Sequence, residues 1–321
     1  MGATMLRLHD NCPSGSGYMP TLLLVALALV TSVSVAQAQD GFYFGMEIGA
    51  ASAPGVDTSM TDNDVSTRCD GFINSEAYLE APAGSGCADP APGLWFFEHD
   101  GGSGILAGAS VGYRRGNFRL EGEYFYSGVG HDSTDDTVTI ADEDAIQRLK
   151  REQELAIVEA VLGDVVSHSL FANLHYDFHS ESRLTPYIGV GAGFSRVSLD
   201  YFNRWARRID PASITTFGSE PQGLRLNEKL AGTTTIANAR HSDTVFGYQL
   251  VAGVDYRLRE GLSAGLKLRW ADFGEFGHER EWDQLRSHDS ARSPGGTRVR
   301  YKLMSDDLRF LSLGLNLKYH F

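Results

Sequence analysis

Clustered positive charge is the first thing this sequence lacks: 28 Lys and Arg are set against 41 Asp and Glu over 321 residues, a formal net charge of −13 with no basic tract. Nucleic acid, whose phosphates demand grouped basic side chains, is excluded as a partner. Beyond residue 35 there is no apolar run near the roughly 20 residues that a membrane-crossing helix needs, which excludes helical spans. Cys-x-x-Cys pairs are absent, and no metal or cofactor is expected. Cysteine itself is scarce, with three residues in all.

What stands at the front is an apolar run from Thr21 to Val35, followed by Ala36-Gln37-Ala38, the small-x-small pattern of a secretory cleavage site. A signal peptide over residues 1–38 and a mature domain over 39–321 are predicted. Arg7 is the only basic residue ahead of the run, and twenty residues precede it, so Met5 and Met19 are alternative starts beside Met1. Cleavage removes only Arg7 and Asp10 from the charged set and leaves the net charge unchanged. Cys12 precedes the run and so is not placed as a lipoprotein cysteine would be. Cys69 and Cys87 remain, in a polar Gly/Pro-rich stretch. In an exported chain they are expected to form a disulfide closing a loop of about 17 residues, worth ~3 kcal/mol in the chain-entropy account.

The informative signal after that is period two. In the last segment Leu311, Leu313, Leu315, Leu317, Tyr319 and Phe321 alternate with Ser312, Gly314, Asn316, Lys318 and His320. Seven earlier segments alternate in the same way, beginning near Phe42, Ile105, Phe118, Leu170, Ile188, Phe246 and Leu262. In the fifth, the apolar set slips after Phe194 to Val197, Leu199 and Tyr201, and a bulge near Ser195 is expected. The links alternate as well. Long ones (about 51 to 103, 128 to 164, 199 to 243 and 275 to 305) take turns with tight ones, and both ends of the barrel fall on the tight side. This is the pattern of an all-β, eight-stranded antiparallel up-and-down transmembrane β-barrel with long extracellular loops.

Periodicity alone does not tell inside from outside, since a soluble barrel turns its apolar face inward. The polar face decides the matter. It carries Glu47, Arg114, Arg119, Glu121, Glu123, Asp177, Asp255, Arg257, Lys267, Arg269 and Lys318 among many glycines. Inside an eight-strand cylinder glycines make room and mixed charges pair, whereas a water-facing surface has no use for so many glycines. The apolar face is then covered by lipid, and aromatic residues near the strand ends form two girdles. The expected location is the outer membrane of a Gram-negative bacterium, with its lipid and lipopolysaccharide as partners.

The Gly-Phe-Tyr-Phe-Gly strand at 41–45, the segment Tyr187-Ile-Gly-Val-Gly-Ala-Gly-Phe194 and the terminal Leu-Asn-Leu-Lys-Tyr-His-Phe321 resemble the small outer-membrane β-barrel family of outer-membrane protein A, opacity-protein and surface-antigen type. The likeness covers residues 40 to 321 in layout, and the terminal segment is its specific part. It implies that Tyr319 and Phe321 serve as a signal to the barrel assembly machinery. The loops are longer than is usual in that family.

Chemistry in the loops is thin. Ser167-His168-Ser169 is the cluster nearest to a deacylase-like set, but neighbours on a strand point to opposite faces and no acidic orienter accompanies them. His99-Asp100, His131-Asp132 and His288-Asp289 offer the dipeptides of an omptin-like protease, at a frequency chance supplies. Gly189-x-Gly-x-Gly lies mid-strand, where no phosphate loop forms. Ala141 to Leu162 has helical spacing with Gly163 as a stop, and a short amphipathic helix outside the membrane is predicted there. Arg204, Arg207 and Arg208 beside Trp205 are candidates for contact with lipopolysaccharide phosphates. The expectation is a non-enzymatic outer-membrane protein with surface loops in a structural, adhesive or antigenic role and an unidentified extracellular partner. A narrow channel comes second and an outer-membrane enzyme third.

Overall fold

The computed structural model describes residues 40–75, 93–178, 182–290, 298–306 and 308–321; residues 1–38, the expected signal peptide, and Cys87 lie outside them. The described strands are β1 (Gly41–Ala53), β2 (Val56–Asp62), β3 (Leu94–His99), β4 (Gly102–Arg115), β5 (Phe118–Asp135), β6 (Thr139–Ile140), β7 (Leu155–Asp177), β8 (Leu184–Arg207), β9 (Thr234–Arg259), β10 (Leu262–Phe273), β11 (Phe276–Glu281), β12 (Arg300–Ser305) and β13 (Arg309–His320). Helices α1 (Ala145–Glu154) and α2 (Pro221–Leu230) complete the set. Eight of the strands close a barrel in the order β1-β13-β10-β9-β8-β7-β5-β4. Pairing is antiparallel around the ring, and β1 shuts it by bonding β4 on one side and β13 on the other. Closure leaves no strand edge in the apolar zone, where an unpaired amide would find no water.

The oily stripes look outward. Leu313 and Leu315 are 56% and 64% exposed, whereas Arg269 and Lys318 are 0% and 4% exposed. From Leu311 to Phe321 the outward residues of β13 span ten steps, which at about 3.4 Å per residue and a tilt near 40° gives an apolar band of roughly 26 Å. That matches the hydrocarbon thickness such barrels cross. Glycine on the inner face lets large side chains lie flat: a Cβ on Gly112 would sit 2.3 Å from the Tyr43 ring, and one on Gly253 2.4 Å from that of Tyr187.

Above the band the wall does not stop. β5, β7, β8 and β9 continue far past the outer girdle, and their two faces exchange character. On β8, Phe194 points outward at 61% exposure, while Val197, Leu199 and Tyr201 on the opposite face are buried. The β8–β9 register runs unbroken from Leu184↔Tyr256 to Ala206↔Thr234. The bulge expected near Ser195 is therefore not there; what changes is the medium outside the wall, from lipid to water. The register shifts lie instead on β5 and β7, between Gly130 and Ser133, between Leu162 and Val165, and between Leu155 and Ile157.

A five-stranded sheet in the order β11-β12-β2-β3-β6 faces this tall wall, with β11 against β9 and β3 against β5 and β7. Val56, Met60, Phe97, Phe276, Tyr301 and Leu303 from the sheet share one buried cluster with Leu162, Val197, Leu199, Tyr201 and Val245 from the wall. At about 1.5–3 kcal/mol for each large apolar side chain, this cluster, which continues down to Phe125, Phe171, Phe273 and Phe310, holds the sheet to the wall. The long links expected from the sequence are thus largely strand.

α1 is shorter than the predicted Ala141–Leu162. Asp144 caps it, accepting the Ile146 and Gln147 amides at 2.8 Å each, while the Gln147 side chain returns to the Asp144 amide. It ends at Glu154 rather than at Gly163, because Leu155 onward pairs with β8 and the β-branched Ile157, Val158 and Val161 suit a pleated wall. α2, begun by Pro221 at its first turn, was not expected; its Leu230 packs with Ile73 and Ile214 in a small second core.

Candidate functional site

Two places concentrate polar side chains: the lumen within the lipid band and the crown above it. In the lumen, the tier nearer the tight turns is a chain of ion pairs. Arg114 reaches Asp177 at 2.6 Å, Arg119 bridges Asp177 at 2.9 Å and Asp255 at 3.3 Å, and Lys318 holds Asp255 at 2.7 Å. Tyr187 lies within this tier, buried beneath Arg119 (4.5 Å to the ring centroid) and Lys318 (4.6 Å), and so does not belong to the girdle suggested by its place near a strand end.

The middle tier is centred on Glu123. It accepts Lys267, Arg269 at 2.5 Å, Asn173 at 2.8 Å and Gln249 at 3.1 Å. Glu47 takes the other side of the same two cations, at 2.9 Å from Arg269 and 3.2 Å from Lys267. Glu121 accepts the Tyr43 hydroxyl at 2.6 Å and lies 3.4 Å from His175. His175 and His179 stand four apart, but His179 lies outside the described residues. Among the described residues no group of three or more His, Cys, Asp or Glu is arranged to hold a metal.

Of the charges expected inside, Glu47, Arg119, Glu121, Glu123, Asp177, Asp255, Lys267, Arg269 and Lys318 meet in this network. Arg257 does not. It is exposed, past the end of the packed lumen, where its backbone amide donates to the Arg183 carbonyl. Alternation continued to Arg257, but the packed lumen ended at Asp255.

A floor of phenylalanine, not anticipated from the polar face, covers the middle tier. Phe125, Phe171, Phe273 and Phe310 form a ring of contacts, with centroids 5.5 to 6.3 Å apart, and Arg269 stacks its guanidinium 4.1 Å over Phe125. All four point inward from strands whose inward residues on the tight-turn side of them are polar or small. Their shared height, legible only once the register is known, was the missing signal.

In the crown, Arg286 donates to Asp64 at 2.7 Å and to Asp70, and His288 Nε2 lies 2.9 Å from Asp70. Burial pushes the Asp70 carboxyl up, but its bonds to His288 and Arg286 outweigh that and hold it well below the usual carboxylate range. Burial pushes His288 down, and its bonds to Asp70 and to the Asp289 backbone reverse the shift, leaving the imidazole raised. His288 is therefore paired across the crown with Asp70, on the link after β2, rather than with its neighbour Asp289. Cys69, beside this clamp, is buried and disulfide-bonded.

The three arginines proposed for lipopolysaccharide do not share a surface. Arg204 pairs with Glu159 at 2.7 Å, and Arg208 is exposed and donates to the Gln153 carbonyl at 2.8 Å. Arg207 turns inward to Thr67 at 3.3 Å, where burial, then the neighbouring Arg286 charge, lowers its pKa to about 10. Ser167 and Ser169 point inward while His168 points out, so the serine–histidine run forms no catalytic set. Tyr319 and Phe321 stand on the lipid face, their rings 5.2 Å apart.

A family model described as the outer membrane protein beta-barrel domain matches residues 21–321. No curated protein sequence matches the chain. Among solved structures it is similar to neisserial surface protein A (13% identity, 89% of this chain and 100% of that one, TM-score 0.38). It is similar also to OprG from Pseudomonas aeruginosa (12%, 89% and 100%, TM-score 0.41) and to the attachment invasion locus protein Ail of Yersinia pestis (9%, 88% and 100%, TM-score 0.29).

Proposed function

The chain belongs to the outer membrane protein β-barrel family of Gram-negative bacteria, and from that premise we propose that it is a non-enzymatic surface protein whose crown presents contacts to the outside. One observation carries this reading: the extramembrane half is a built body, its apolar core continuous with the phenylalanine floor, set over a lumen filled by ion pairs. Such a body holds its surface in one shape, which is what an adhesive or antigenic face requires. Helix α1 offers Ile146 and Leu149 to solvent, at 68% and 66% exposure, and Ile209 stands out at 86% close to its C-terminal end. An adhesive role places the partner on this side.

The narrow-channel reading makes the opposite demand, a continuous wet path. Arg119 and Arg269 are fully buried and a phenylalanine floor lies above them, so ions would have to displace paired charges. Planar-bilayer recording separates the two. Silence agrees with the surface role, and stable ohmic steps would replace it with the conduit. Binding of cells expressing the full chain to host-cell or matrix surfaces, lost when Ile146 and Leu149 are both changed to Asp, tests the adhesive form directly.

A further inference from the structure

Immediately above the apolar band, one flank of the barrel carries basic side chains with no acid in register opposite them among the described residues. The cross-strand row Tyr126–His168–Arg196–Thr244 runs over β5, β7, β8 and β9 on the outward face. The row below it on the same strands is Tyr124, Leu170, Phe194 and Phe246, the top of the lipid-facing surface. Arg196 is only two residues past Phe194, about 5 Å further from the bilayer centre at 3.3 Å per residue and a tilt near 40°. Arg204, ten residues past Phe194, is about 25 Å higher by the same geometry. Headgroup depth therefore belongs to Arg196.

The surroundings favour an anion. Arg196 is exposed and donates one long bond, 3.4 Å, to Thr244 Oγ1. On β7, β8 and β9 the row above it is Val166, Ser198 and Ser242, and the row below is apolar, so the register brings no carboxylate beside it. Asp243, next to Thr244, is turned to other work, accepting the Thr244 and Gly277 amides at 2.7 and 3.1 Å. By contrast Arg309, at similar depth on β13, faces Asp272 in register. His168 is held by the Tyr124 hydroxyl, 2.8 Å from Nδ1, and lies 5.4 Å from the Tyr126 ring. With that hydroxyl donating, Nε2–H remains as an outward donor.

We infer that Arg196 and His168, framed by Tyr124 and Tyr126, bind a phosphate on the headgroup of an outer-leaflet glycolipid, the phosphorylated lipid A of lipopolysaccharide. Arg supplies a planar fork that matches phosphate oxygens, and the tyrosines sit where ring and hydroxyl meet lipid and water. The inference rests on the outer-membrane placement and is independent of what the crown contacts. Native mass spectrometry of the full protein in mild detergent, titrated with bisphosphorylated and with dephosphorylated lipid A, tests it.

The expected result is retention of the bisphosphorylated lipid by the wild type. Loss of one charge-assisted phosphate contact corresponds to a weakening of about tenfold or more, read in both Arg196→Glu and the milder Arg196→Gln. Arg204→Glu should stay within about twofold of wild type. Heat-modifiable migration reports that each variant is folded, and the Gln variant serves if the Glu one is not. Equal retention by the Arg196 variants, equal binding of dephosphorylated lipid, or complete displacement by inorganic phosphate would each overturn the inference.

Discussion

Replacing Glu123 by Gln tests whether the lumen is a dry ionic lattice. The packed lumen holds Arg114, Arg119, Lys267, Arg269 and Lys318 against Glu47, Glu121, Glu123, Asp177 and Asp255, so its formal charges cancel. The substitution keeps shape and removes one anion from between Lys267 and Arg269, which are 5% and 0% exposed. Breaking a buried pair while leaving its partner charged costs about 3–5 kcal/mol, or roughly two to three and a half decades in the folding equilibrium. Urea titration in lipid vesicles, followed by heat-modifiable migration, reads this as a fall in midpoint at unchanged slope. Adding Lys267→Met restores neutrality and is expected to return about half of the loss or more. A single variant within about 0.5 kcal/mol of wild type would refute the reasoning. It would mean that water already solvates these groups, and the conduit reading would gain what the surface reading lost.

The crown clamp carries a pH signature. Asp70 is depressed in the fold, so its contribution is present above the ordinary carboxylate value and fades as pH falls through the lowered one. His288 is raised, so its share is whole below the ordinary histidine value and is lost as pH climbs through the raised one. Amide-exchange protection of residues 62–74 and 282–290, corrected for intrinsic rates, is expected to peak between about pH 4 and 6.5 and to flatten in His288→Ala. Leu315→Arg, at mid-band on the lipid face, is expected to cost about 2–4 kcal/mol in the vesicle titration. A loss below about 0.5 kcal/mol would contradict outward placement. Non-reducing peptide mapping is expected to join Cys69 to Cys87.

The lipid band was legible because a single rule, alternation with an apolar outside and a mostly polar or glycine inside, runs along the strands, with Leu106, Val251 and the phenylalanine floor among its inward exceptions. It failed where the surroundings changed. Val197, Leu199 and Tyr201 read as a slip because a fixed outside was assumed, whereas the same unbroken strand meets lipid below and water above. The end of α1 differs from the expected Leu162 for a related reason: Ile157, Val158 and Leu162 fit a helical stripe as well as a strand, and only pairing with β8 chooses between them. The facing sheet was hidden by its short, mixed strands, such as Val56–Asp62, whose apolar residues are few and whose partners are distant in sequence. Among candidate site residues, those on regular strands could be placed on a face from the sequence. Arg207 shares the inward parity of Val197, Leu199 and Tyr201, but its partner Thr67, 140 positions away, could not be read from the sequence.

The uninterrupted ladder from membrane to crown also governs how the molecule bears load. Strands of 24 and 26 residues, β8 and β9, rise from the lipid band into the tower in one unbroken register. A pull applied at the tip along the membrane normal therefore stresses many inter-strand bonds together, in shear, instead of peeling them singly. A load at the summit is thereby passed to the membrane through the paired length of these strands.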